Sequence, residues 1–292
     1  KSIRWTTSQV GSYGYTIAAQ MAKILEQALG GEYTVTVQPY TSPTVAMKAV
    51  MNGEGEIAYT ADVGMTQFHD RTGGFKDYKP TKPEIAHSWY AYPMESMMAT
   101  SAKDGDKYKC WKDFSGKPVF FTTAGFMNWL NMQRSFKALG YDFKHVQIDT
   151  KSNSDALQAG TIVGSTTYTT AGKSLAPYWK ETEIQMDIKV VNPCPDEVAK
   201  LKAAGLAVVD VDPKGAFSKD VGPKTLQGVP IPMPMWAWLM STMAERMHKE
   251  PKQFLSANDK VVVFAHVRVL LKDKKEWNEG HTADVFTFKN DK

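Results

Sequence analysis

The chain has 292 residues, room for two domains at roughly 100–200 residues each. At 42% hydrophobic and 23% charged it has the composition of an ordinary globular protein, which excludes collagen, coiled coil and intrinsic disorder. The 35 basic and 31 acidic residues leave a net charge of +4, too small and too dispersed for a nucleic-acid surface, and no apolar run approaches the ~20 residues with which a helix spans a bilayer.

Residue 1 is Lys1, and a strand begins at once over Ile3 to Thr7, the start expected of an exported chain after removal of a signal peptide. The strand runs into Ser8-Gln9-Val10-Gly11-Ser12-Tyr13. A helix follows, with Ile17, Met21, Ile24, Leu25 and Leu29 at three-to-four-residue spacing, and Gly30-Gly31 ends it. Tyr33 to Tyr40 reads as a second strand. Ser42 then caps a short helix with Pro43 in its first position. Asn52-Gly53-Glu54-Gly55 turns into a third strand, Glu56 to Thr60, and Asp62 opens another helix.

A strand-like run from Ile85 to Thr100 leads through a polar turn to a second unit with the same grammar. Lys117 to Phe121 is its first strand, Thr122-Thr123-Ala124-Gly125 a loop, and Asn128 to Leu139 a helix stopped by Gly140. A strand over Val146 to Ile148, a helix around Ala156 to Ala159, the run Thr161 to Thr170, the strand Ile188 to Val191 and the helix Asp196 to Ala204 complete the unit. Alternating strands and helices predict an α/β fold in two tandem lobes. Residues 1–100 form the first lobe and residues 101–210 the second. Residues 211–292 are expected to return to the first lobe and finish in helices, with Trp236 and Trp238 on one face of a crossing strand.

In open α/β sheets ligands bind beyond the carboxyl ends of the strands, where helix N-termini offer free N–H groups and a partial positive charge. The loops in that position are Ser8 to Tyr13, Tyr40 to Thr44, Thr60 to Asp62 and Thr122 to Trp129, all rich in hydroxyls or glycine. They suit a small polar ligand, a carboxylate above all, although the same residues serve as ordinary caps and turns. The chain carries no Gly-x-Ser-x-Gly elbow, His-Glu-x-x-His or Walker loop, and pairing His87 with Asp62 as acid and base has no motif behind it. No metal or cofactor is expected. Cys110 and Cys194, the only two cysteines, are either joined in one disulfide or held as two buried thiols.

The order of motifs carries a resemblance. Gly11-Ser12-Tyr13 opens a long helix, Gly53-Glu54-Gly55-Glu56-Ile57-Ala58 is followed by Thr60-Ala61-Asp62-Val63, and Phe114-Ser115-Gly116-Lys117-Pro118-Val119 begins the second lobe. Ala156-Leu157-Gln158-Ala159-Gly160 and His281-Thr282-Ala283, with Phe286 and Phe288, extend the match toward the C terminus. Together they resemble the TRAP-associated extracytoplasmic immunogenic (TAXI) family of solute-binding proteins.

The resemblance implies the type II periplasmic binding-protein fold, two α/β lobes joined by a hinge with the ligand cleft between them. It further implies a periplasmic monomer that delivers a small organic acid to the membrane permease subunits of a TRAP transporter and catalyses no reaction. Where the family has Gly-Ser-Val-Glu-Asn this chain has Ser42-Pro43-Thr44-Val45-Ala46, and where it has Gly-Ser-Gly-Thr this chain has Gly125-Phe126-Met127-Asn128. The family's glutamate, glutamine or 2-oxoglutarate is therefore not carried over, and a bulkier or less polar acid is expected.

The residues expected at the ligand are Ser8, Gly11, Ser12 and Tyr13, flanked by Thr44 and Asp62. The second lobe supplies Thr122, Thr123, Gly125, Asn128 and Trp129, with Thr167 and Tyr168 further out. Two alternatives share the fold class: a lobe-closing α/β enzyme acting on a small organic acid, and a ligand-sensing domain of a signalling system.

Overall fold

The computed structural model describes residues 1–79, 87–237, 244–257, 260–271 and 277–287. Its contacts divide the chain into two units, Lys1–Trp236 and Ala237–Lys292.

The first unit opens with β1 (Ser2–Thr7), α1 (Tyr13–Ala28), β2 (Thr34–Pro39), α2 (Pro43–Met51), β3 (Ile57–Tyr59) and α3 (Asp62–His69), the alternation expected from the sequence. β1 lies between β2 and β3 and runs parallel to both, as βαβ connections require. The Arg4 guanidinium donates to the Glu56 carboxylate and to the Gly53 carbonyl, tying the start of β1 to the turn before β3. Ser12 caps α1, accepting from the Tyr15 N–H at 3.2 Å, and Ser42 caps α2, accepting from the Val45 N–H, with Pro43 in the first turn.

β4 (His87–Ser101) carries the chain into the second lobe. There follow β5 (Pro118–Phe120), α4 (Met127–Leu139), β6 (Lys144–His145), α5 (Asn153–Gln158), β7 (Gly164–Thr170), β8 (Ser174–Leu175), α6 (Pro177–Gln185), β9 (Ile188–Val191), α7 (Pro195–Ala203) and β10 (Val209–Val211). The strand expected at Val146 to Ile148 is the two-residue β6, one turn earlier. α4 ends at Gly140, whose φ of +75° is the left-handed cap that glycine adopts without a steric cost. Trp111, Phe114, Phe121, Met132 and Phe136 form the centre of this lobe's core, all fully buried.

β11 (Leu226–Ala237) then enters the sheet between β3 and β4, giving the order β2-β1-β3-β11-β4-β7-β5-β6. β4 and β11 are therefore adjacent strands in the middle of one mixed sheet, in the α/β fold class of type II periplasmic binding proteins. Cys110 and Cys194 form a disulfide with Cα atoms 5.2 Å apart, joining the turn before β5 to the start of α7.

The helices expected toward the C terminus are a correction. The second unit consists, among the described residues, of the antiparallel meander β12 (Ala244–Ala257), β13 (Lys260–Leu271) and β14 (Trp277–Thr287). Val261, Val262, Val263, Val267 and Val269 on β13 are β-branched, and such residues fit a pleated surface better than a helix. Trp238 and Phe288 and the side chain of Trp236 lie outside the described residues.

Candidate functional site

The turn after β1 builds the first wall. Gly11, at φ +87°, lets the chain reverse so that the buried Ser8 and Ser12 hydroxyls meet at 2.5 Å. Ser12 thus caps α1 while sharing its hydroxyl with Ser8. Tyr59, the last residue of β3, lies against the first turn of α1, where a Cβ on Gly14 would sit 2.5 Å from the Tyr59 hydroxyl. That glycine leaves room for the Tyr59 phenol to reach Ser8, and burial pushes the phenol up to about 12.

The second wall comes from four other elements. Tyr92 on β4 packs edge-on against Tyr13, ring centroids 5.7 Å apart, and its electrostatic neighbours are the Tyr59 and Tyr13 phenols. Tyr168 lies opposite Ser96 in the β4–β7 register. With side chains alternating along a strand, this puts Tyr168 on the same face of the sheet as Tyr92. Its ring centroid is 6.3 Å from that of Tyr178, in the first turn of α6, and the Tyr178 phenol lies against Thr122 at the end of β5. Burial raises Tyr92, Tyr168 and Tyr178 above the ordinary phenol value, so all are neutral donors.

Thr122 stands out. Its φ of +75° is a left-handed conformation that a β-branched residue seldom holds, at a cost of about 1–3 kcal/mol, and its side chain is fully buried. The hydroxyls of Thr122, Tyr92 and Tyr178 complete no hydrogen bond of ordinary geometry among the described residues. Buried hydroxyls are nearly always paired, and an unpaired one costs about 1–3 kcal/mol. The strained Thr122 and the hydroxyls of Tyr92 and Tyr178 thus gather with Ser8 and Tyr59.

Around this cluster elements of the first 70 residues touch elements after residue 120. The Ser174 hydroxyl donates to the Tyr13 hydroxyl at 3.2 Å, and the Thr44 hydroxyl donates to the Gly125 carbonyl at 3.2 Å. Thr60 reaches the Met127 sulfur at 3.6 Å. A Cβ on Gly125 would stand 3.2 Å from the Ser42 hydroxyl, so its φ of +86° and its missing side chain both serve the close approach. Asp62 accepts from both terminal nitrogens of Arg134, at 3.0 and 3.5 Å. The Arg134 Nε donates to Asn131, whose amide donates in turn to the Ser96 hydroxyl and the Val229 carbonyl on the two crossing strands. One polar chain therefore links the Asp62–Arg134 ion pair between α3 and α4 to β4 and β11.

The expected site residues fall into three groups. Ser8, Ser12, Tyr13, Thr122 and Tyr168 lie in the hydroxyl cluster or its rim. Thr44 bonds to Gly125 and Asp62 to Arg134, and Gly11 and Thr123 shape turns, Gly11 on the surface and Thr123 half-buried. Asn128 accepts from Ser96, on the sheet face that carries Tyr92 and Tyr168, Trp129 packs edge-on to His145, and Thr167 is a buried residue one position from Tyr168 in β7 and so faces the other side of the sheet. The sequence reading missed Tyr59, Tyr92, Tyr178 and Arg134. Only Tyr59 carried a local signal, as the last strand residue before a ligand-side loop. The His87 side chain lies outside the described residues, and Asp62 is taken by Arg134.

Two open grooves lie elsewhere, one of about 930 Å³ along Asp212 to Lys224 and one of about 510 Å³ between α3 and α4. Among the described residues the one cluster of potential metal ligands is Cys110, Cys194 and Glu197, whose thiols are joined in the disulfide. No helix among them is long and apolar enough to cross a membrane.

No family model and no curated protein matches the chain. Among solved structures it is similar to the periplasmic aliphatic sulphonate binding protein SsuA from Escherichia coli, at 12% identity and a TM-score of 0.44 over 65% of this chain. This chain spans 56% of the length of that one. It is similar also to a putative L-cystine ABC transporter protein from Listeria monocytogenes, at 11% identity and a TM-score of 0.46, covering 80% of this chain and 82% of that one. A third is the regulatory domain of MetR, a LysR family regulator from N. meningitidis, at 7% identity and a TM-score of 0.44 over 81% of this chain and 83% of that one. At these identities the likeness concerns fold and assigns no ligand.

Proposed function

We propose that this protein is an extracytoplasmic solute receptor that closes its two lobes on a small organic acid and hands it to a TRAP-type permease. The observation that carries the reading is the hydroxyl cluster at the lobe junction. Ser8 and Tyr59 come from the first lobe, Tyr92 from a crossing strand, and Thr122, Tyr168 and Tyr178 from the second lobe, with three of these hydroxyls buried and unpaired. Unpaired donors inside a closed junction suit a ligand that accepts hydrogen bonds, and exclusion of water strengthens each bond. The N-terminus of α1 lies beside Ser8 and Ser12 and favours a carboxylate there. The permease as partner, the periplasmic location and the monomeric state rest on the motif resemblance.

The test is thermal unfolding of refolded protein against organic acids, amino acids and polyols. A ligand at 100 times its Kd should stabilise the native state by about 2.7 kcal/mol. Recovery of the stabilising acid unchanged supports a receptor. Its chemical conversion, or a panel with no effect, overturns the reading.

A further inference from the structure

The charge around the phenols narrows the ligand class. Among the described residues, no Arg, Lys, His, Asp or Glu side chain is hydrogen-bonded to the phenols of Tyr59, Tyr92, Tyr168 or Tyr178, whose neighbours are other tyrosines, serine, threonine and tryptophan. Three charged side chains among the described residues come near the junction, and each is satisfied. Asp62 and Arg134 neutralise each other, while Glu95, an odd-numbered residue on β4, faces away from Tyr92 and is taken by the Thr169 hydroxyl and the Gly172 N–H. The available counter-charge for an anion is therefore dipolar, from Ser8, Ser12 and the first turn of the 16-residue α1 at one end of the cluster. Helix termini and hydroxyls suffice for one carboxylate. A second carboxylate against the phenols would be a buried charge without a partner, which is strongly disfavoured.

We infer that the ligand is a monocarboxylate whose body is uncharged, aromatic or hydroxylated, with the carboxylate at Ser8 and Ser12 and the body against Tyr92, Tyr168, Tyr178 and Thr122, and that dicarboxylates are rejected. This rests on the receptor reading above and deepens it. Aromatic rings stack on phenol faces, and hydroxyls on the body pair with the three donors that lack partners. The phenols stay protonated throughout the physiological range, so the cage gains no charge that would alter this selection.

The experiment is titration calorimetry on the refolded full chain with two matched pairs. These are 4-hydroxybenzoate against benzene-1,4-dicarboxylate, and gluconate against glucarate, with glucose and 4-hydroxybenzamide as uncharged probes. The expected result is that a monocarboxylate binds at least roughly tenfold more tightly than its dicarboxylate partner. A dicarboxylate within tenfold of its partner overturns this inference and leaves the receptor reading standing. Binding of the neutral probes alone, or of nothing, overturns both.

The variants Tyr92→Phe and Tyr178→Phe add a second readout. Each removes a hydroxyl that completes no hydrogen bond of ordinary geometry among the described residues, so the melting temperature should hold or rise while affinity for the preferred monocarboxylate falls roughly tenfold. A fall in melting temperature with unchanged affinity would mean that these hydroxyls serve the fold, and would overturn the assignment.

Discussion

Replacing both cysteines, Cys110→Ala with Cys194→Ala, tests how the second lobe is held. The disulfide closes a sequence separation of 84 residues. In the chain-entropy model a closed loop of that length destabilises the unfolded ensemble by about 4.6 kcal/mol at 25 °C. The native junction should survive the change, because the buried Glu197 carboxylate holds the same two segments. It accepts from the backbone N–H groups of Trp111, Lys112 and Cys194 at 3.2, 2.7 and 2.6 Å, and from the Tyr141 hydroxyl at 2.8 Å. For a unit of this size each kcal/mol corresponds to roughly 2–4 °C, so the variant should melt about 9–18 °C lower. Calorimetry under oxidising conditions reads the shift, and circular dichroism of the folded variant should match the parent. A melting temperature within about 3 °C of the parent would refute the argument. So would loss of native structure at 25 °C, which would mean that Glu197 does not hold the junction alone.

Asp62→Asn removes a partly exposed ion pair between α3 and α4, worth about 1 kcal/mol, so ligand dissociation should speed up roughly fivefold in stopped-flow and the ligand-free melting temperature should fall by about 2–4 °C. An unchanged off-rate would mean that the pair does not favour closure. Thr122→Gly releases the φ of +75° and should raise ligand-free stability by about 1 kcal/mol while weakening ligand binding; a lower melting temperature counts against stored strain. Burial holds the Glu95 carboxyl above its ordinary value, against the opposing bonds from Thr169 and Gly172. The folded state then binds this proton more tightly than the unfolded one, so the group's contribution is full in acid and is lost as pH climbs from 4.5 through the raised value. Glu95→Gln should flatten that part of the stability profile in denaturant titrations, and an unchanged slope would remove Glu95 as its source.

What the sequence by itself determined is local. Apolar spacing placed α1. Ser12, Ser42 and Pro43 marked helix starts and Gly140 a helix stop, because caps and left-handed turns depend on residues a few positions apart. The strand-end loops were legible for the same reason, and they gave Ser8, Ser12, Tyr13 and Thr122. The C-terminal region misled because β-branched runs there lack a period that separates buried strand from helix.

The tertiary structure alone decided which faces meet. Tyr59, Tyr92, Tyr168 and Tyr178 come from β3, β4, β7 and α6, and each reads locally as one more core aromatic. Asp62 finds Arg134 across 72 residues, and Cys110 finds Cys194 across 84. Periodicity says that a side chain is turned inward; what it is turned toward follows from sheet order, and here β11 between β3 and β4 joins the strands that carry these hydroxyls in one sheet.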